Sequence, residues 1–335
     1  PATAASDSAA ADISRATIEA AATRIAPFII ETPLIESPRL NDKLGIRLLV
    51  KAECLQHTGS FKLRGASNAV WSLDDTVKHV VAFSSGNHAQ GVARAAASRG
   101  LQATIVMPKD SPAGKIEGTK AYGGTVILYD RYTESREEIG ADLATRKQAH
   151  LIKPFDDARV IAGQGTVGLE IAAQAAAKNL TPDAIICCCG GGGLIAGMSI
   201  AASDMIPAVD IWAAEPEFYD DTRRSLASGK IETADITMPS ICDSIVTAQP
   251  GEITFPINKK LLSGSAVITD RDALQAVATA FKHLKIIIEP GGAAALAAVL
   301  TGQYPASAKT VVAVASGGNI DAPMFQRALD EGPLF

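Results

Sequence analysis

Ile185-Ile-Cys-Cys-Cys-Gly-Gly-Gly-Gly-Leu194 is the stretch on which the fold turns. Five apolar residues without polar alternation read as a strand buried on both faces, the kind found in parallel sheets. The strand runs directly into four glycines, and the apolar segment from Leu194 to Ala202 has the character of a helix start. Glycines let backbone N–H groups close around an anion, and a following helix N-terminus adds its dipole. The same residues also suit a tight strand-to-helix turn in a packed sheet.

Outward from this point the chain alternates strand and helix signals. Towards the N-terminus, His79-Val-Val-Ala-Phe83 is an apolar strand, Gly86 to Arg99 an Ala-rich helix, and Ala103-Thr-Ile-Val-Met107 a strand closed by Pro108. Gly114 to Tyr122 is helical and Thr125-Val-Ile-Leu-Tyr129 is strand again, so this run predicts a small open sheet of its own. Towards the C-terminus come an Ala-rich helix from Gly163 to Lys178, the strand Ile211-Trp-Ala-Ala214, helices from Asp270 to His283 and Gly291 to Leu300, and the strand Thr310 to Ala315. The fold class is α/β with mainly parallel sheets.

Composition supports a large core: 335 residues, 47% apolar and 20% charged. A net charge of −5 gives no reason to expect nucleic acid or acidic membranes as partners. Ala184 to Ser203 is free of charge, but its glycines would break a spanning helix, so no membrane segment is expected. Five cysteines, three of them consecutive, form neither a disulfide framework nor a CxxC pattern and read as strand core, which points to a reducing cytoplasm. No basic region precedes an apolar run at the start, so no secretory signal is expected, and residues 1–11 read as a mobile tail.

The chemistry begins at Lys51-Ala-Glu-Cys-Leu-Gln-His-Thr-Gly-Ser-Phe-Lys-Leu-Arg-Gly-Ala66, which offers Lys62 just after a Gly-marked turn. A lysine held at a fixed place can form a Schiff base with an aldehyde, and pyridoxal 5'-phosphate is the common biological one. That aldehyde carries a dianionic phosphate, for which Gly190 to Gly193 would be the cradle.

Seven stretches together resemble one family: Thr58-Gly-Ser-Phe-Lys-Leu-Arg-Gly-Ala66, Ser84-Ser-Gly-Asn-His-Ala-Gln-Gly91, Lys153-Pro-Phe-Asp-Asp157, Ile161-Ala-Gly-Gln-Gly-Thr166, Gly190 to Gly193, Ala214-Glu-Pro216 and Ser316-Gly-Gly-Asn319. In order and kind they are similar to the fold-type II pyridoxal-phosphate enzymes of the serine/threonine dehydratase and serine racemase family. The resemblance implies a tryptophan synthase β-like fold of two open, twisted, mainly parallel sheets flanked by helices. It implies a large discontinuous domain, 12–78 and 154–335, a small domain, 79–153, and a homodimer. The chain ends soon after Asn319, so a C-terminal regulatory domain is not expected.

By this resemblance Lys62 carries the cofactor and then serves as the α-proton base. Phe61, Asn87, Gly190, Gly191, Gly192, Gly193, Leu194 and Ser316 hold the cofactor, with Asn87 on the ring hydroxyl and Ser316 at the pyridine nitrogen. A hydroxyl keeps that nitrogen less firmly protonated than a carboxylate would, a bias towards β-elimination over transamination. Ser85 would stand opposite Lys62 as a second base. Ser84, Ser85, Asn87 and His88 would receive the substrate carboxylate at a helix start. Glu289 would support the cofactor from behind, and the cofactor phosphate would protonate the departing hydroxide.

In the racemase branch of the family two carboxylates and a backbone carbonyl bind Mg2+ or Ca2+, which maps to Glu215, Tyr219 and Asp221. The match weakens at Ile241-Cys-Asp-Ser-Ile245, where relatives have glycine in place of Ser244, a residue expected to touch the substrate. The arginine that some relatives place near the substrate carboxylate has no clear equivalent; rough alignment puts Asp142 there. Pro250-Gly-Glu-Ile-Thr-Phe-Pro256 is similar to the dehydratase branch. The expected function is dehydration of a small 3-hydroxy amino acid: threonine, serine, a 3-hydroxyaspartate, or the hydroxylated diamino acid of hydroxyectoine breakdown. The alternatives are an amino-acid racemase using Lys62 and Ser85, and a non-catalytic amino-acid sensor. β-Replacement, as in cysteine synthase, is disfavoured because Leu63-Arg64-Gly65 follows the lysine.

Overall fold

The computed structural model describes residues 12–335; the expected tail, 1–11, lies outside them. Two sheets form the molecule. The six-stranded sheet has the order β1 (Leu34–Glu36), β2 (Arg47–Lys51), β10 (Thr310–Val314), β7 (Ala184–Cys188), β8 (Asp210–Pro216), β9 (Gly264–Ile268). The four-stranded sheet has the order β5 (Gly124–Tyr129), β4 (Gln102–Pro108), β3 (His79–Phe83), β6 (His150–Leu151). Every pairing is parallel except β1 with β2. The α/β class with two mainly parallel sheets is therefore the observed one.

The register of β7 explains why its five residues carry no alternation. Ala184 to Ile186 pair with β10 on one side, and Ala184 to Cys188 pair with β8 on the other, so the strand is interior to the sheet and wholly buried. The three successive cysteines, Cys187 to Cys189, are buried free thiols. Helices cover both faces, and the largest apolar cluster gathers around β2, β7, β8 and β10 with the helix Pro290–Leu300. Among the described residues no helix is long and apolar enough to cross a membrane.

Residues around the smaller sheet pack with one helix that precedes it in sequence. Ala66, Ala69 and Val70 of the helix Lys62–Trp71 join Val80, Ala82, Ile105 and Met107 in a single cluster. The same helix lies closely on the helix Ala158–Ala177: a Cβ on Gly65 would come 2.7 Å from the Val160 carbonyl, and one on Gly163 would come 2.6 Å from Gly65 Cα. Only hydrogen at both positions lets the backbones meet.

That helix is also fixed electrostatically. Arg64 donates to both carboxylate oxygens of Glu53 at 2.8 Å and to those of Glu170 at 2.6 and 2.7 Å, while Lys51 Nζ reaches Glu170 at 2.5 Å. Lys51, Glu53 and Arg64 are completely buried. Charges taken from water at such cost hold only while every partner is present, so this network locks the first turn of the helix, where Lys62 stands.

Candidate active site

Each piece of the site leaves the carboxyl end of a parallel strand, where open α/β sheets place their ligands. β2 leads to Lys62, β7 to the glycine quartet, β10 to Ser316, β3 to the Ser84-Ser85 turn and β6 to Pro154-Phe155. One cleft is lined by Lys62, Ser84 to His88, Gly190 to Leu194 and Ser244, among others. Thus most of the residues singled out from sequence, drawn from distant parts of the chain and from both sheets, share one cleft.

Lys62 is half-buried and donates from Nζ to the Pro154 carbonyl at 3.0 Å, with the Phe61 ring centroid 5.1 Å away. Burial pulls its pKa down to about 8, the effect of desolvating an ammonium. Phe61 itself is tied to the end of β10, its N–H donating to the Ser316 carbonyl at 3.1 Å.

Two helix N-termini open onto the cleft. At the first, the backbone N–H groups of Gly190, Gly191 and Gly192 have no acceptor among the described residues, and the helix Gly193–Met205 follows. Gly192 has φ +89°, a left-handed conformation that suits glycine, and a Cβ on Gly191 would sit 2.4 Å from the Phe155 ring. The Gly191 carbonyl is held from behind by Gly251 N–H at 3.1 Å and Thr254 Oγ1 at 2.6 Å, which brings the Pro250 to Pro256 stretch under the loop. At the second, Ser85 and Asn87 N–H groups are likewise free at the start of the helix Asn87–Ser98. The unoccupied donors of both ends suit anions.

Other residues have more specific surroundings. Asn87 Nδ2 donates to Glu289 Oε1, and its Oδ1 accepts from Asn319 Nδ2 at 2.8 Å. Ser85 and Ser84 line the cleft, and Ser84 Oγ accepts from Gly86 N–H at 3.2 Å. Ser244 lines it too, its Oγ packed where a Cβ on Gly291 would approach to 2.2 Å. Ser316 reaches the cleft through Cys188, a lining residue whose thiol donates to Ser316 Oγ at 3.2 Å.

His88 has a different partner from the expected carboxylate. Its Nε2 meets the Ile152 carbonyl at 3.1 Å, burial next to Lys62 pulls its pKa down to about 3, and the neutral ring leaves Nδ1 as an acceptor only. An acceptor does not bind a carboxylate.

Asp142 requires correction. It is exposed and paired with Arg146 on the outer side of the helix Arg136–Arg146, whereas Arg136 lines the cleft with its guanidinium 5.3 Å from the Phe83 ring centroid. Six helical residues rotate the chain well away from the starting face, so the two cannot both look inward. Lys115 and Asp243 also line the cleft; Asp243 belongs to the Ile241–Ile245 stretch, whereas Lys115 carried no motif of its own. Lys115 stands in the first turn of the helix after β4, and Asp243 beside Ser244 between the helices Asp221–Ser228 and Thr254–Leu261.

The acidic trio is partly assembled. Glu215 is buried, and its oxygens accept from Thr222 and Arg223 N–H, each at 2.8 Å. Asp221 is buried, its Oδ2 without a partner among the described residues, and the Tyr219 hydroxyl donates to the Met238 carbonyl at 2.7 Å. Burial raises Asp221 to about 7, and burial with the neighbouring Asp221 raises Glu215 to about 8. No group of three or more His, Cys, Asp or Glu side chains able to hold a metal occurs among the described residues.

A fixed lysine of lowered pKa between two helix ends with free N–H groups suits an aldehyde cofactor bearing a phosphate. The profile of one family matches residues 25–317, and the chain belongs to it: the pyridoxal-phosphate dependent enzymes. It is 39% identical to serine racemase of Oryza sativa subsp. indica over 96% of this chain and 94% of that protein. It is 37% identical to L-threo-3-hydroxyaspartate ammonia-lyase of Saccharomyces cerevisiae, strain ATCC 204508 / S288c, over 93% of this chain and 94% of that protein. The solved structure of maize serine racemase superimposes with a TM-score of 0.88 at 37% identity, covering 95% of this chain and 97% of that one.

Proposed function

We propose that the chain is an ammonia-lyase that dehydrates a small 3-hydroxy amino acid to a 2-oxo acid and ammonia. The observation that carries this reading is the Lys62 amine, partly uncharged near neutral pH, in a cleft walled by two sets of free backbone N–H groups. Lys62 would hold pyridoxal phosphate, with Gly190 to Leu194 on its phosphate and Phe61, Asn87 and Ser316 about its ring. Bound there, the cofactor would draw electrons from the substrate Cα and so acidify its proton.

Lys62 Nζ then takes that proton, since a tethered amine with a lowered pKa is a competent base. The N–H groups at the start of the Asn87 helix receive the α-carboxylate, and Arg136 adds a cation in the same cleft. In balance, the Cα–H and Cβ–O bonds break, the Cβ hydroxide leaves with a proton as water, and the released enamine hydrolyses to 2-oxo acid and ammonia. Three-hydroxyaspartate stands beside serine and threonine as a candidate because the yeast relative bears that name and the cleft contains Arg136.

Racemisation is the second reading. Ser85 lies in the lining with no side-chain hydrogen-bond partner among the described residues, as a second proton carrier would, and the rice relative is named for that activity. Ammonia release from L- and D-, threo- and erythro-3-hydroxy amino acids tests the first reading: at least one should yield equal ammonia and 2-oxo acid, and none doing so would end it.

A divalent cation, Mg2+ or Ca2+, at Glu215 and Asp221 with the Tyr219 carbonyl belongs to the same proposal, in a structural role. Two buried carboxylates whose charged forms are disfavoured, one with a lone oxygen, suit a hard cation. The homodimer, the cytoplasmic setting and the division into 12–78 with 154–335 and 79–153 belong to the same proposal, and the two separate sheets support that division.

A further inference from the structure

We propose that Lys115 is a positioning residue that ties the wall of the cleft carried by the four-stranded sheet to the wall carried by the six-stranded sheet, and through Glu289 fixes Asn87. Lys115 follows β4, in the first turn of the helix Ala113–Ala121, and is only 7% exposed. Its Nζ lies 2.9 Å from Asp243 Oδ2 and 3.5 Å from Glu289 Oε2, both on segments that join strands of the larger sheet. Its aliphatic stem runs against the anion seat: a Cβ on Gly86 would stand 2.4 Å from Lys115 Cδ.

The contact continues inward. Glu289, 2% exposed, accepts from Asn87 Nδ2; Asn87 Oδ1 accepts from Asn319; and Asn319 Nδ2 also donates at 2.8 Å to the Thr58 carbonyl, in the turn before Lys62. Polar contacts therefore run from Lys115 across the cleft to the lysine-bearing turn. Lys115 is the one cation paired with Glu289 among the described residues. Without it a buried carboxylate is uncompensated and must protonate or swing away, loosening Asn87. The Asp243 charge, left unpaired in the cleft lining, would also oppose an incoming carboxylate.

The kinetic half of this inference rests on the dehydratase reading; the conformational half does not. Holoenzyme carrying Lys115→Met, similar in length but neutral, is compared with Lys115→Arg and the wild type. Without substrate, amide hydrogen exchange across Ser85–Gln90 should quicken about tenfold or more in Lys115→Met, while Ala184–Cys188 exchanges as before. With substrate, KM should rise about tenfold with a smaller change in kcat, and Lys115→Arg should restore both readings. Wild-type exchange at Ser85–Gln90 in Lys115→Met, or equal damage in the Met and Arg variants, overturns the proposal. If Lys115→Met does not accumulate folded, Asp243→Asn should shift exchange in the same direction, and an unchanged segment there overturns it equally. Absence of lyase activity in the wild type would sink the functional reading and leave the exchange result to decide this one.

Discussion

Lys62 must be both free of charge and fixed in direction, and different neighbours supply the two conditions. Burial lowers the pKa to about 8; the Pro154 carbonyl at 3.0 Å aims Nζ. An ammonium has no lone pair for an aldehyde. Capture of pyridoxal phosphate by the apoenzyme, followed by visible absorbance, should therefore rise about tenfold per pH unit below about pH 8 and level off above it. A rise continuing towards pH 10 would place the lysine in water-like surroundings instead. The motif around this residue was legible because Gly59 and the following residues form a contiguous signature. Arg136 and Lys115 were not, since each acts through the direction in which its helix packs, and packing is set by distant chain. His88 shows the converse: its type suited a carboxylate, but burial beneath Ile152 decided its role.

At the scale of elements, the strand-to-turn-to-helix units carry the function. The β7 strand and the helix after its glycines were evident from an apolar run that changes period at Gly190, and the β3 to β5 run likewise. The edge strands β1 and β9, the short β6 and the interior β2, whose three apolar residues lie between Arg47 and Lys51, did not stand out in the sequence. Three residues in β1, a Gly-Ser start in β9 and two residues in β6 offer too little alternation to see. The helix expected to run from Asp270 to His283 is α-helical only to Thr279, then widens into a π turn at Ala280–Leu284 that ends on Lys285 at φ +61°. The glycine loop yields a prediction of its own. Gly191→Ala drives a methyl into the Phe155 ring, so phosphate binding should suffer more than the fold. Fluorescence titration of the apoenzyme should show cofactor Kd raised about tenfold or more, with a stability loss of about 1–3 kcal/mol. Unchanged affinity would remove the loop from the cofactor seat.

Over the whole molecule, two sheets face one cleft, and a second charged centre lies at the end of β8. Glu215 and Asp221 have pKa values near 8 and 7, above the usual carboxylate range. Without a cation, the folded state then holds protons that the unfolded chain has released, so this contribution is full at acid pH and is lost as pH rises through 7 and 8. A bound divalent cation would replace those protons. Mg2+ or Ca2+ should raise Tm by more at about pH 8.5 than at about pH 6, by differential scanning fluorimetry after chelation. Equal shifts, or none, would leave the pair as a proton-holding cap on the helix Asp221–Ser228. The α/β class was foreseeable from the period of apolar residues and the two-sheet arrangement from the family resemblance; the substrate was not, because Arg136 meets Asp243 and Ser244 only in the folded cleft.

The central claim, elimination by Lys62, is tested most directly by the fate of the α-proton. The enzyme is incubated in D2O with each 3-hydroxy amino acid, and 2-oxo acid, ammonia and α-deuterated amino acid are counted together by NMR. The account predicts 2-oxo acid and ammonia in equal amounts, exceeding α-deuterated amino acid, and none of these products from Lys62→Ala. Deuterium entering Cα with inversion, and no ammonia from any substrate, would contradict it and leave a racemase.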